Sequence, residues 1–233
     1  MIVIRIALLS AAFIAAALSY QGPHIMQSKR APSDVAPDTD PNSSFWRAAP
    51  AVFADRDSFG NAVPGHRTEV RSRWTANNLY LLFICPYEHL NLKPDPRTDT
   101  ETNKLWTWDV AEAFIGSDFQ NIRQYKEFEV SPQGEWVDLD IDLDKPHHEG
   151  GWTWNSGFTV AARIDPGPKV WYACMRIPYK SIDTRPAAAG NKLRINLYRS
   201  QGPKSQHVAI AWQPTHKATF HAPEAFGTLE LVN

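Results

Sequence analysis

The chain has 233 residues, with 24 Lys and Arg against 25 Asp and Glu and a formal net charge of -1. That balance excludes a typical nucleic-acid binder, whose phosphate contacts require a basic excess. A hydrophobic share of 43% excludes a disordered polymer, and 18 prolines, 12 glycines and a 12% aromatic share favour a turn-rich β protein over a helical bundle.

The chain opens MIVIRIALLSAAFIAAALSY. Arg5 precedes a 13-residue uncharged, largely apolar run from Ile6 to Leu18, too short for a membrane span of ~20 residues. Small residues follow at the cleavage position, so residues 1–19 read as a secretory signal peptide. Residues 20–42 carry Gln, Ser, Pro and Asp with little apolar periodicity and read as a flexible leader. Residues 43–233 hold no second linker and read as one domain.

Within that domain, short runs of period-two alternation are broken by Pro, Gly, Asn and Asp. In chain order the predicted strands are 68–74, 79–85, 110–115, 125–131, 136–143, 158–164, 170–177, 193–200, 207–212 and 226–232. Pro132-Gln133-Gly134 and Asp165-Pro166-Gly167-Pro168 are tight connections between neighbouring runs. About ten strands without a long amphipathic helix predict an all-β fold, an antiparallel, jelly-roll-like β-sandwich. Cys85 and Cys174, the only cysteines, both fall in apolar runs and read either as a disulfide or as two buried thiols.

Three features suggest chemistry. Along 136–143, Asp138, Asp140 and Asp142 share one face, which suits either calcium or sugar hydroxyls, or an edge strand guarded by charge. In Leu105–Ile115, an extended reading puts Trp106, Trp108, Val110 and Glu112 on one side. A flat indole covers the apolar face of a pyranose, while a carboxylate accepts hydrogen bonds from its hydroxyls; a core Trp with a paired Glu reads equally from the pattern. Residues 147–154 carry His147, His148, Glu149, Trp152 and Trp154, read as a solvated loop whose two Trp either extend a glycan platform or plug the sandwich end.

Trp-x-x-Asp-x-x-Glu-x-Phe-Ile, standing here as Trp106, Asp109, Glu112, Phe114 and Ile115, resembles the family 9 carbohydrate-binding modules. Further pieces follow in the family's order: Asn78–Phe83, Tyr125–Pro132, Arg176-Ile177-Pro178, Leu193–Arg199 and Ala225–Leu231. The resemblance covers roughly residues 45–233. It implies a sandwich that binds glycans between two Trp rings, for which Trp106 and Trp212 are the counterparts, with Glu112 as the hydrogen-bonding acid. Glu129 or Glu127 stands where the family uses an Arg, so Arg199 or Arg194 is left as the donor. The family also implies structural calcium.

The expectation is therefore a secreted or periplasmic, non-catalytic protein that binds an oligosaccharide or polysaccharide. It would support polysaccharide breakdown beside a separate glycoside hydrolase, with no nucleic acid and no membrane contact after signal cleavage. Two other function classes stay open. A glycoside hydrolase would need a carboxylate pair, drawn from Glu112 with Glu127, Glu129 or Asp109. A haem-binding electron-transfer sandwich would need Met175 to face His207 or His89.

Overall fold

The computed structural model describes residues 24–233; the segment read as a signal peptide lies outside them. Thirteen strands form among the described residues. The first five are β1 (Ile25–Arg30), β2 (Ala51–Ala54), β3 (Arg56–Asp57), β4 (Thr68–Trp74) and β5 (Asn78–Pro86). Then come β6 (Val110–Gly116), β7 (Gln124–Val130), β8 (Trp136–Asp142), β9 (Thr159–Asp165) and β10 (Val170–Pro178). The chain finishes with β11 (Lys192–Gln201), β12 (Val208–Ala211) and β13 (Gly227–Val232). Only short 3₁₀ turns interrupt them. The ten strands expected from alternation all form, with ends shifted by a few residues at most.

The strand path runs β8-β7-β6-β11-β13-β1-β4-β5-β10-β9, with β12 beside β11, β3 beside β12 and β2 beside β4. Core side chains from both halves of this path pack together, so it doubles back into a two-layer sandwich. Ala111, Ala113, Ile115, Ile195 and Leu197 from one layer meet Leu79, Leu81, Phe83, Ala173 and Met175 from the other. The pairings are antiparallel except at β1, which runs parallel to both β13 and β4 and ties the layers together.

β5 explains why an apolar run need not alternate. Its odd positions enter the inter-layer core, while Tyr80 and Leu82 on its other face are covered by Val35, Phe45, Trp46 and Ala49. That cover corrects the reading of residues 20–42 as a flexible leader. From Ile25 onward the segment is built into the fold. Asp34 accepts hydrogen bonds from Thr75, Asn77 and Asn78, and Trp46 Nε1 donates to the Asp38 carbonyl at 2.8 Å. Burial raises the Asp34 carboxyl, but these hydrogen bonds outweigh it and hold the group down at about 2. β1 escapes a hydrophobicity reading because its two inward side chains are Met26 and Ser28; Ser72 Oγ donates to Ser28 Oγ at 2.7 Å.

The cysteines are both free. Cys85 faces the inter-layer core and Cys174 faces the outer cover, so they sit on opposite faces of paired strands. Burial pushes each thiol up to about 12.

Trp212 fills the core where β13 begins. A Cβ on Gly227 would lie 2.6 Å from the Trp212 ring and 2.8 Å from the His24 carbonyl oxygen. Neither a buried indole nor backbone can yield, so Gly227→Ala is expected to cost about 1–3 kcal/mol, read as a lower urea midpoint with unchanged slope.

Candidate functional site

Side chains alternate along a strand, and this decides which acids can meet. In β6, Ala111, Ala113 and Ile115 point into the sandwich; Val110, Glu112 and Phe114 project from the outer face of the same layer. β7 pairs with β6 so that Glu129 lies opposite Glu112 and Glu127 opposite Phe114. Glu127 and Glu129, two residues apart, therefore share the face that Glu112 occupies. One carboxylate oxygen from each of the three lies within 4.8 Å of the others.

These acids are buried. Glu112 is 2% exposed, Glu127 3% and Glu129 0%. Ser200 Oγ of β11 donates to Glu112 Oε1 at 2.8 Å. Glu127 and Glu129 lean on each other, with the Trp106 backbone N–H toward Glu129; outside these contacts Glu127 Oε2 and both Glu129 carboxylate oxygens have no hydrogen-bond partner among the described residues. Burial raises all three carboxyls above the ordinary range, and mutual repulsion adds to this at Glu112 and Glu129.

Above this floor opens a pocket of about 610 Å³. Trp106 forms part of its wall, half-buried, with Phe220, His148 and His221. Trp106 is not on a strand. Leu105–Thr107 is a 3₁₀ turn, entered through Lys104 at a left-handed φ of 61° and closed by Trp108 N–H to the Leu105 carbonyl. The extended reading of 105–115 holds only from Val110. Phe220 lies flat on Tyr198, with ring centres 4.0 Å apart, and the Tyr198 hydroxyl donates to its carbonyl. His221 stacks on Phe114, and its Nδ1 lies 2.6 Å from the Tyr125 hydroxyl. Burial, followed by the neighbouring His148, pushes the His221 imidazole down to about 4, so its ring is neutral at neutral pH.

The residues expected from sequence divide cleanly. Trp106 and Glu112 line the one pocket, and Glu129 sits with Glu112 in the acid group. Trp212 and Arg199 do not reach it. Trp212 is 1% exposed within the inter-layer core, beside Ile210 and Leu229. Arg199 shares the inward face with Leu197; its Nη1 donates to the Pro86 carbonyl at 2.6 Å. Both expectations are corrected by strand parity: Tyr198 and Ser200 face the acids, so the residue between them cannot. Arg194 is held at the far end of β11 by the Asp118 and Gln124 carbonyls.

The Asp138, Asp140 and Asp142 set does not converge. Positions two apart on a strand are separated by ~6.6 Å along the chain. Asp138 accepts hydrogen bonds from Ser156, while Asp140 and Asp142 pair with Lys126 and Lys145. Asp109 faces away from Glu112 and accepts from the Gly202 and Asn91 amides. The three clustered glutamates stand side by side on one floor, not on either side of a cleft. Met175 is enclosed in the inter-layer core, whereas His89 and His207 are exposed, so the haem arrangement is not assembled.

Phe220 and His221, in a loop, and His148, opening the 3₁₀ turn His148–Thr153, escape a pattern reading because no period applies there. The only signal they carry is the local density of His and aromatic residues. Trp152 packs on the outer-face cluster under the pocket and Trp154 against Phe128, so both act as packing.

The family model described as carbohydrate family 9 binding domain-like matches residues 42–233. A protein of Arthroderma benhamiae named "Extracellular protein" is 23% identical over 194 residues, which cover 75% of this chain and 85% of the fungal one. A carbohydrate-binding module family 9 structure from Caldicellulosiruptor kristjanssonii in complex with cellotriose superposes with a TM-score of 0.65 at 13% identity, covering 90% of this chain and 94% of that one. The corresponding structure in complex with glucose gives 0.63 at 13% identity, covering 89% and 95%. These structures share the fold of this chain.

Proposed function

The chain belongs to the carbohydrate family 9 binding domain-like family, and from that membership we propose that it is a secreted, non-catalytic glycan-binding protein whose site is the Trp106–Glu112 pocket. The observation that carries the reading is local: an aromatic wall and a carboxylate floor border one cavity large enough for a short oligosaccharide. The indole of Trp106 would cover the apolar face of a sugar ring, and Glu112 with Ser200 would exchange hydrogen bonds with its hydroxyls. Phe220, which lines the same cavity, would be the second aromatic contact in place of Trp212.

Secretion is supported by the uncharged N-terminal run and by the name of the fungal relative. Among the described residues, no helix is long and apolar enough to cross a membrane. The cellotriose and glucose bound by the bacterial structures make short glucose oligomers the first ligands to try. The family's domains bind rather than cleave, so any role in polysaccharide breakdown would be that of a capture protein beside a separate hydrolase.

Isothermal titration with a panel of neutral and amine-bearing trisaccharides tests this. Trp106→Ala should weaken the binding seen by roughly tenfold or more, because truncating a stacked aromatic removes most of its contact area. Undiminished binding by that variant would reject the site, and the appearance of new reducing ends would reject the non-catalytic reading.

The calcium implied by the family has one convergent carboxylate set among the described residues, Glu112 with Glu127 and Glu129. Those three could hold a hard cation, whereas Asp138, Asp140 and Asp142 do not converge into a ligand set among the described residues.

A further inference from the structure

The pocket floor concentrates acid that no neighbouring side chain balances. Among the described residues, Lys104 is the one lysine or arginine that lines the pocket, and the others near the floor are turned away or engaged. Arg199 points to the opposite face, Arg194 is tied to carbonyls, and Lys126 is paired with Asp140. Lys104 borders the pocket as an exposed side chain, and His221 is held neutral by its burial. Independently of the clustering, Glu127 lines the cavity at 3% exposure, and its Oε2 has no hydrogen-bond partner outside the acid group among the described residues. A buried, unpartnered carboxylate beside an open cavity is a group that a ligand completes.

Two surfaces have to be satisfied together. A neutral sugar would use the aromatic wall but leave the floor uncompensated. A bare metal ion would compensate the floor but leave the wall unused. We propose that the pocket selects a glycan bearing a free protonated amine, a glucosamine-type residue, whose ring lies against Trp106 and Phe220 and whose ammonium is held by Glu112 and Glu127 with Glu129 behind them. The proposal rests on the glycan-binding reading and narrows its ligand class. An ammonium presents three N–H donors to three acids, and its charge is further favoured beside aromatic faces. N-acetylation of the same amine removes the charge, so the N-acetylated sugar is the informative control.

The experiment is a titration at about pH 7, where a sugar amine still holds most of its proton and Glu127, raised by burial to about 7, is partly ionised. The glucosamine trimer, the N-acetylglucosamine trimer and cellotriose are compared, each with and without EDTA, beside a titration with calcium chloride alone. The expected result is that the glucosamine trimer binds at least about tenfold tighter than either neutral trimer, weakens as salt is added, and ignores EDTA. Glu127→Gln, close in shape to the parent, should erase that advantage, bringing the glucosamine trimer within about twofold of the neutral trimers measured on the same variant. Equal or tighter binding of a neutral trimer would overturn the proposal and leave the glycan-binding reading standing. Binding abolished by EDTA, or calcium binding that Glu127→Gln removes, would overturn it in favour of a metal site. Failure of all three trimers to bind would overturn the glycan-binding reading itself. The comparison on the unaltered protein needs no variant, so a poorly folding Glu127→Gln would not rescue the proposal.

Discussion

Ligand-free protein is expected to lose at least about 3 kcal/mol of unfolding free energy between about pH 6.5 and about pH 8.5, the share of one proton retained in the folded state. The cause is the buried glutamate group. Glu112, Glu127 and Glu129 have carboxyls raised by burial, with repulsion between them adding to the shift. In the unfolded chain the same groups release their protons near 4.5. Above that value the folded state holds protons that the unfolded state has lost, so rising pH favours unfolding. The contribution is fully present below about pH 4.5 and is lost as pH climbs through the raised folded values. His221 acts with the opposite sign. Its folded value is depressed to about 4 from 6.5, so its contribution is complete above 6.5 and fades as pH falls. Starting at pH 6.5 therefore sets His221 aside and leaves the raised carboxyls at ~1.4 kcal/mol per pH unit for each proton held, with Glu101, raised to about 7 but partly exposed, adding a smaller share.

Glu129→Gln sharpens the same test. Glu129 is fully buried, and its carboxyl meets the Glu127 carboxyl and the Trp106 backbone N–H. Replacing it with a neutral amide of the same shape should flatten the alkaline decline and leave the variant about 1–2 kcal/mol more stable than the parent at about pH 8.5. Urea midpoints across the pH range decide it. A parent whose stability stays level or rises over this window would mean that the three carboxyls are ionised and balanced in the free protein. That outcome would also remove the motive for an amine ligand.

Strands were the legible part of this fold because alternation is a local property, fixed by the two-residue repeat of the backbone. β8 is the clearest instance, with Val137, Leu139 and Ile141 all buried on one side. Legibility failed where the signal is not local. β1 is held by pairing with β13, some two hundred residues away in sequence, and presents little hydrophobicity of its own. Parity within a strand was legible too, yet a resemblance to motif residues can override it wrongly. Arg199 looked available as a donor only until Ser200 and Glu112 fixed which face of β11 meets the acids. Trp106 illustrates the reverse case: its neighbourhood with Glu112 was anticipated, but through an extended segment, whereas a 3₁₀ turn delivers it. The remaining walls, Phe220, His221 and His148, are brought together only by the tertiary fold.

Arg199→Ala is expected to destabilise the protein by about 3–5 kcal/mol while leaving glycan affinity in the folded fraction within about twofold. Arg199 is fully buried, donates to the Pro86 carbonyl and Thr68, and lies over the Trp171 ring at 5.6 Å. Burial lowers its guanidinium, while Cys85 and Asp109 nearby act to raise it. Truncation would strip the Pro86 carbonyl of a donor and Asp109 of a neighbouring positive charge, and would open space against Trp171. Arg199→Met distinguishes charge from volume: an apolar chain of similar length refills the space, so recovery of most of the loss assigns it to packing, and a persistent loss assigns it to the buried charge. Urea midpoints measure the stability term, and titration with the tightest-binding trimer measures the other. An Ala variant with parental stability and lost glycan binding would place the guanidinium in the pocket, against the strand parity that directs it into the core.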